Sequence, residues 1–349
     1  MYGNIYRTIK INRIKFILVF IVLFILLVSG IILSVGMGTM KIGADDIVHV
    51  IANRLFGANI FVADNITAIV WNIRLPRIIC ACFVGMGLAV SGVIFQGILQ
   101  NPLADPYTLG ISTGASFGAS LALIMNILMG IYFPATAAAL IGSCLTLFIV
   151  ILIAEKGNSL ESSNLIIAGI IISSILSSGV SFIKMLAGES VGAIVFWIMG
   201  SLSAKGWKDV MLVSPTVIIC TVISVVLANQ LDIMALGDNN ASALGINTHK
   251  LRFTYLVIGS VITAVCVSAC GVIGFVGLIV PHLLRIWITA KNQILIPLSA
   301  LLGALLLLTA DSITRIISAG EIPVGVLTTI IGGPFFIFVF TRKGGSHNV

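Results

Sequence analysis

Hydrophobic runs of membrane-crossing length recur from one end of this chain to the other, and they limit its fold more than any other feature. They cover 14–35, 74–99, 107–128, 132–155, 162–187, 209–229, 251–270, 273–289, 293–313 and 323–341. An α-helix rises about 1.5 Å per residue, so most of these runs match a hydrocarbon layer about 30 Å thick. Hydropathy alone would merge the seventh and eighth runs. Charged residues make up 9% of the 349, whereas a soluble domain carries about a quarter. That is too little charge to cover a water-facing surface, and no polar block is long enough for a separate soluble domain. The expectation is an all-α integral membrane protein, one domain over 1–349, with about ten transmembrane helices.

The formal net charge is +7. In a membrane chain such an excess follows from the concentration of Lys and Arg on the cytoplasmic side. No basic run is interleaved with aromatics, so the expected surroundings are a lipid bilayer and not nucleic acid. Arg7, Lys10, Arg13 and Lys15 precede the first run, and Arg342-Lys343 follow the last. An even number of crossings puts both termini on one side, and these flanks place them in the cytoplasm. Lys156 then falls in a cytoplasmic loop and Lys41 outside. The first run exceeds the roughly 7–15 apolar residues of a cleavable signal, so it is expected to stay as a helix.

Catalytic chemistry is hard to find. There is no Gly-x4-Gly-Lys-Ser/Thr phosphate loop, so the chain does not hydrolyse ATP by that route. No Ser-His-Asp or Cys-His grouping falls in one place. The six cysteines, Cys80, Cys82, Cys144, Cys220, Cys266 and Cys270, lie in apolar stretches and read as small buried hydrophobes. Asp45, Asp46 and His49 fall in GADDIVHVIANRLFG, whose spacing predicts a short amphipathic surface helix with an acidic first turn, inside an outer connection spanning 36–73. His282 follows Pro281 without a partner ligand, and is expected to pack between helices or face the cytoplasm. No metal site, cofactor or enzymatic activity is expected. Proton-driven carriers place a carboxylate or histidine inside a span; here acidic residues sit in loops or near span ends, with Asp311 the deepest. A channel would need a charged ring or a carbonyl filter, and neither is evident. An external energy source fits best.

The most distinctive stretch runs from Arg74 to Gly118: RLPR, then SGVIFQGILQNPLADPYTLGISTGAS. It breaks at Asn101-Pro102. Asp105 as a cap and Pro106 as a first helical residue predict that the next helix restarts there. A second block, GVIGFVGLIVPHLLRIWI, covers 271–288. Together these resemble the FecCD-type permeases of ABC importers, which carry iron-siderophore complexes, haem or vitamin B12 across bacterial membranes. The resemblance implies a type II importer permease architecture and separates the seventh and eighth spans. It also implies the partners: a second permease copy or close paralogue, a dimer of ABC ATPase subunits, and an extracytoplasmic substrate-binding protein.

It implies site residues as well. Arg74, Arg77 and Arg315 match positions that receive acidic groups of the binding protein. The plainer alternatives are headgroup anchoring for Arg74 and Arg77, and a local pair with Asp311, four residues away, for Arg315. The polar segment ALGDNNASALGINTHKLR, 235–252, reads as two short helical pieces about Gly245. Its 235–250 part corresponds to the ATPase-coupling loop, with Asp238, Ala241, Leu244, Gly245 and Asn247 as contact candidates. The general importer pattern has Glu-Ala-Ala; here the positions read Asn239-Asn240-Ala241, and Asp238 is the adjacent acid. Ser162 and Ser163 match an inner gate, or merely start a helix. Residues 188–208 are expected to hold a short outer helix from about Val191 to Met199, with Trp197 and Trp207 at the interface. Glu321 begins the tenth helix, and Gly332-Gly333-Pro334 is expected to interrupt or kink it. Gly92-Val-Ile before Pro102 and Gly271-Val-Ile before Pro281 form a weak internal echo.

Cargo is less determined. Iron-siderophore complexes are the commonest in the family, while haem and cobalamin stay open. The Ser, Thr and Gly residues of 108–120 and 173–181 suit a passage wall or close helix packing equally. A carrier coupled to ions, or a receptor working alone, is the alternative from another class.

Overall fold

The computed structural model describes residues 2–38, 40, 42–155, 160–317 and 322–344, with side chains described within 14–337. Lys41, Lys156 and Glu321 lie outside the described residues. The chain is all helical over the described residues. The helices are α1 Tyr2–Gly36, α2 Ala44–Phe56, α3 Asp64–Thr67, α4 Leu75–Ile98, α5 Ile111–Met129, α6 Ala135–Ala154, α7 Ser162–Ala187 and α8 Val191–Ile198. They continue with α9 Trp207–Val226, α10 Ala228–Met234, α11 Asp238–Ala243, α12 Thr248–Cys270, α13 Val276–Trp287, α14 Asn292–Ile317 and α15 Val324–Gly344.

Eight helical stretches among the described residues are long and apolar enough to cross a membrane, and Val276–Trp287 and Val324–Ile337 are shorter apolar helices. All ten expected segments therefore form as helix. The match is closest for α7, which follows the 162–187 run end to end. α2 is the amphipathic helix of the outer connection, its first turn carrying Asp45 and Asp46 and its end closed by Gly57. α8 is the short helix of the 188–208 segment.

Four expectations fail. The outer connection ends early, because α3 and a π-helical stretch, Ala68–Arg74, lead without a break into α4. Trp71 in that stretch stacks on Trp207, and its carbonyl accepts the Trp207 indole N–H at 3.0 Å. Next, α5 does not restart at Asp105-Pro106. The Asp105 carboxylate accepts the Tyr107 N–H at 3.1 Å and its carbonyl accepts the Thr108 N–H at 3.0 Å. That closes a turn, and Gly110, at φ 78°, lets the chain turn into a helix starting at Ile111. Third, α15 runs unbroken through Gly332-Gly333-Pro334; Gly332 lies flat against the Phe275 side chain, so the glycine serves packing. Last, the echo has no structural counterpart: Gly92 is inside α4, whereas Gly271 ends α12.

The core is built around α4, whose apolar window is 83% buried. It packs against α14, α12, α9 and α13, while α1 lies along α14 at the edge. The tightest approach is between Gly92 and Gly277, where a Cβ on Gly92 would sit 1.9 Å from the Gly277 carbonyl oxygen. No side chain fits there, and the absence of side chains lets α13 lie directly on α4.

Beside this contact the irregular turns at 99–110 and 271–275 meet inside the bundle. The Tyr107 hydroxyl donates to the Ile273 carbonyl at 2.7 Å and accepts the Ile273 N–H at 3.3 Å. Gln96 reaches the Gly277 and Leu278 carbonyls, both at 3.4 Å. Irregular backbone at such depth is tolerable only when protein groups satisfy it, and these side chains do so. Five of the six cysteines are buried as expected, but Cys144 is exposed; the Cys80 and Cys270 thiols lie 3.8 Å apart.

Candidate functional site

The sequence-derived site residues sort to two opposite ends of the bundle. One end holds Arg74, Arg77 and Arg315. The other holds the α10–α11–α12 hairpin and the start of α7.

At the arginine end, the first turn of α4 and the last turns of α14 face the end of α1. Asp311 is fully buried. Arg77 grips it with Nε at 3.0 and 3.2 Å from the two carboxylate oxygens and Nη2 at 2.9 Å. Arg315, one turn further along α14, places its Nε 3.2 Å from Asp311 Oδ2. Arg315 also donates to the Ser34 and Met37 carbonyls of the α1 end, at 3.1 and 3.2 Å, and to the Ser34 hydroxyl. Arg74 donates to the Val35 carbonyl at 2.7 Å and to the Met40 carbonyl. The local pair expected between Arg315 and Asp311 is thus present, but as half of a larger clamp. Two guanidinium groups, Arg74 just before α4 and Arg315 of α14, fasten the exit of α1, and the buried acid joins Arg315 to Arg77 of α4. Charge-assisted, forked contacts of this kind are the strong ones. None of the three arginines presents a bare guanidinium at the surface.

At the hairpin end, α10 is held on two sides. The Asp232 carboxylate accepts the Asn292 backbone N–H at 2.9 Å and its side-chain amide at 2.7 Å, at the first residue of α14. Gln100, just past α4, donates to the Met234 carbonyl at 2.9 Å. After Gly237, at φ 96°, the six-residue α11 begins with Asp238. Ala241 faces inward and is fully buried, whereas Leu236 and Leu244 are 59% and 63% exposed. Gly245 is exposed in the turn to α12, and the Asn247 side chain caps α12 by accepting the Lys250 N–H at 2.9 Å. Asp238 forms a forked pair with Arg252 of α12, at 2.7 and 3.1 Å. The missing Glu of the general pattern is therefore not needed for an ion pair here; its neighbour makes one within the chain.

Ser162 and Ser163 open α7 beside this hairpin. The Ser162 hydroxyl donates to the Ile98 carbonyl at the end of α4, 3.1 Å away, while Ser163 is exposed. Further along α7, Ser174, Ser178 and Ser181 share one exposed face, each hydroxyl turned back to its own helix backbone at 2.9–3.0 Å. The serines of α5 are different: Ser112, Ser116 and Ser120 are buried, while Gly114 and Gly118 of the same helix pack on α6. The 108–120 set therefore serves packing, and the 173–181 set is the exposed one. His282 stacks near Phe336, with ring centroids 5.8 Å apart. No group of three or more His, Cys, Asp or Glu fit to hold a metal occurs among the described residues.

The profile of the FecCD transport family matches residues 7–342. The chain belongs to that family. Among its FecCD relatives, the uncharacterised ABC transporter permease protein YvrB of Bacillus subtilis is 37% identical over 93% of both chains. The Fe(3+)-citrate import system permease protein YfmE of the same organism is 34% identical over 92% of this chain and 94% of its own. Other relatives are named for cobalamin, haemin and molybdate import. A solved structure assigned to a metal-chelate type ABC transporter, in an inward-facing conformation, superposes with a TM-score of 0.81 at 31% identity, over 93% of this chain and 99% of its own. This FecCD chain is thus a multi-pass ABC importer permease of all-helical architecture.

Two site features of this permease escape sequence reading. Arg77 and Asp311 stand 234 residues apart; the available signal was that a deep acid needs a basic partner at the same end of the bundle. Arg252 closes on Asp238 across the turn, and its position one turn into α12 was the only clue.

Proposed function

We propose that this permease passes a metal chelate, an iron-siderophore complex first among candidates, into the cytoplasm at the expense of ATP hydrolysed by a separate ABC ATPase dimer. The observation that carries the energy source is the hairpin: two exposed leucines, Leu236 just before α11 and Leu244 just after it, flank a short and largely polar projection. Exposed apolar side chains on a short projecting helix suit insertion into a partner's cleft. Asp238, Ala241, Gly245 and Asn247 shape that projection through the ion pair, inward packing, turn and cap described above. On this reading the hairpin end and both termini are cytoplasmic, and the arginine end faces the binding protein.

The pathway forms between this chain and a second copy or close paralogue. The exposed hydroxyl face of α7 supports this, because Ser174, Ser178 and Ser181 in a membrane span call for a protein partner or a wet passage. Small hydroxyl side chains offer a wall that binds a bulky chelate weakly. Ser163, exposed where α7 begins, then lies at the inner gate, and Ser162 anchors that end of α7 to α4. Arg74, Arg77 and Arg315 act at the docking face chiefly by holding its shape, with Lys208 exposed on the neighbouring helix to meet acidic groups directly. Nucleotide binding moves α11, the gate end of α7 follows, and access alternates; each step shifts the equilibrium only by its differential affinity for the two states.

The test is uptake of labelled ferric siderophore, haem and cobalamin in a strain lacking this gene, with and without the ATPase. Accumulation of the ferric siderophore alone, dependent on the ATPase, is expected. Transport by the purified chain in vesicles without any nucleotide-hydrolysing partner would refute the mechanism.

A further inference from the structure

We propose that Arg252 is the positioning residue through which movement of α11 reaches the gate end of α7. This rests on the reading of α11 as the ATPase-docking helix. Its guanidinium is buried and bonds both to α11 and to the segment that leads into α7. Nη1 and Nη2 grip the Asp238 carboxylate, the first residue of α11, at 3.1 and 2.7 Å. Nη1 also donates to the carbonyl of Leu160, two residues before α7 begins. Leu160 is itself buried, so a displacement of its carbonyl moves the core side chain that seats the start of α7.

The surroundings make this link selective. α10 is braced to α14 through Asp232–Asn292 and to α4 through Gln100–Met234, so it stays with the core. α11 leaves that brace at Gly237 and packs chiefly on α10 and α12. A push on Leu244, at the far end of α11, therefore turns the helix about the 235–237 corner. The ion pair at the first residue of α11 lies at that pivot and carries the turn into Arg252. Forked guanidinium pairing resists rotation, which a single contact would not. The far arm reaches the start of α7, the helix whose exposed hydroxyl face is read above as the pathway wall. A parallel contact, His249 to Glu155 at 3.6 Å, ties α12 to the end of α6. It meets the other side of the same connection and does not touch α11.

The experiment uses the assembled complex of permease, ATPase and binding protein in nanodiscs, with Mg-ATP plus vanadate as the probe. Hydrogen exchange is followed in peptides covering 236–246 and 160–170. In the unaltered protein both regions are expected to change on nucleotide trapping. Arg252→Met should keep the change at 236–246 and lose it at 160–170. Asp238→Ala cuts only the arm to α11 at a half-exposed residue, and should give the same split should Arg252→Met fold poorly. Arg252→Lys should restore part of the response. In uptake assays substrate moved per ATP should fall about tenfold, within the usual range of coupling between sites. An undiminished response at 160–170 in both variants, or none there in the unaltered protein, would overturn the proposal. No change at 236–246 in the unaltered protein would instead remove the docking reading on which it rests.

Discussion

Replacing Arg77 by Met separates a structural clamp from a docking contact. The change strips Asp311 of its three Arg77 contacts, at 2.9, 3.0 and 3.2 Å, and leaves Arg315 Nε at 3.2 Å as the ionic partner. Removing one partner of a buried pair costs about 3–5 kcal/mol in soluble proteins. Polar contacts between membrane helices average nearer 0.6 kcal/mol and reach about 1.7. Asp311 is fully buried, which argues for the upper range, but it keeps Arg315, which argues for the lower. The expected loss is ~2 kcal/mol. Asp311→Asn alone leaves two cations near a neutral amide and should cost a similar amount. The double variant should cost less than the two singles combined, because each single already removes the Arg77–Asp311 pair and it can be lost only once. Unfolding in graded SDS, read by tryptophan fluorescence, gives all four stabilities. A stability unchanged in Arg77→Met, together with lost capture of the loaded binding protein, would refute the clamp and restore a contact role for the guanidinium.

Four further outcomes follow from the geometry. Leu244→Glu, at a 63% exposed side chain, should leave the melting temperature unchanged yet abolish copurification of the ATPase. Gly92→Ala would push a methyl group to 1.9 Å from the Gly277 oxygen and should prevent assembly of α13 on α4, seen as loss of monodisperse protein on size exclusion; Gly206→Ala, where no atom lies within 4 Å, should be neutral in the same assay. Tyr107→Phe removes the donor to the Ile273 carbonyl and should lower stability by about 1–3 kcal/mol, the usual cost of stranding a buried polar group, measured by the same SDS titration. A small maleimide should leave all six cysteines unlabelled in the native protein, Cys144 included because its exposed thiol lies midway along the α6 span and meets lipid, and should label them after unfolding, counted by intact mass.

The spans were legible because membrane helices announce themselves by length and lack of charge. α7 was clearest, a run bounded by Glu161 and by Gly188 at φ 51°. What the periodicity hid was depth. Nothing in LADPYTLG says that a good capping pair will close a turn inside the bundle, because the deciding partners, Ile273 and Gly277, lie far along the chain. Likewise the Gly-Gly-Pro of α15 reads as a break until Phe275 is seen against it. At the sites, the local pair of Asp311 and Arg315 was visible as a four-residue spacing. The role of Arg77 was not, since an arginine beside a span looks the same whether it faces a headgroup, a partner or a buried acid. The two helical pieces of the hairpin about Gly245 were legible from the sequence, but its ion pair needed the fold of the turn.

The way α13 starts within the protein interior bears on how the chain is made. Its twelve residues cover about 18 Å, well short of the hydrocarbon thickness. The insertion machinery, which sorts segments by their own oiliness, has no reason to leave such a fragment across the bilayer. It can settle only after α4 and the turn at 99–110 offer the bare seam at Gly92 and the hydroxyl of Tyr107. Assembly of this part of the chain is therefore a docking event that follows synthesis, and chains stopped before α13 should leave that seam open to premature degradation.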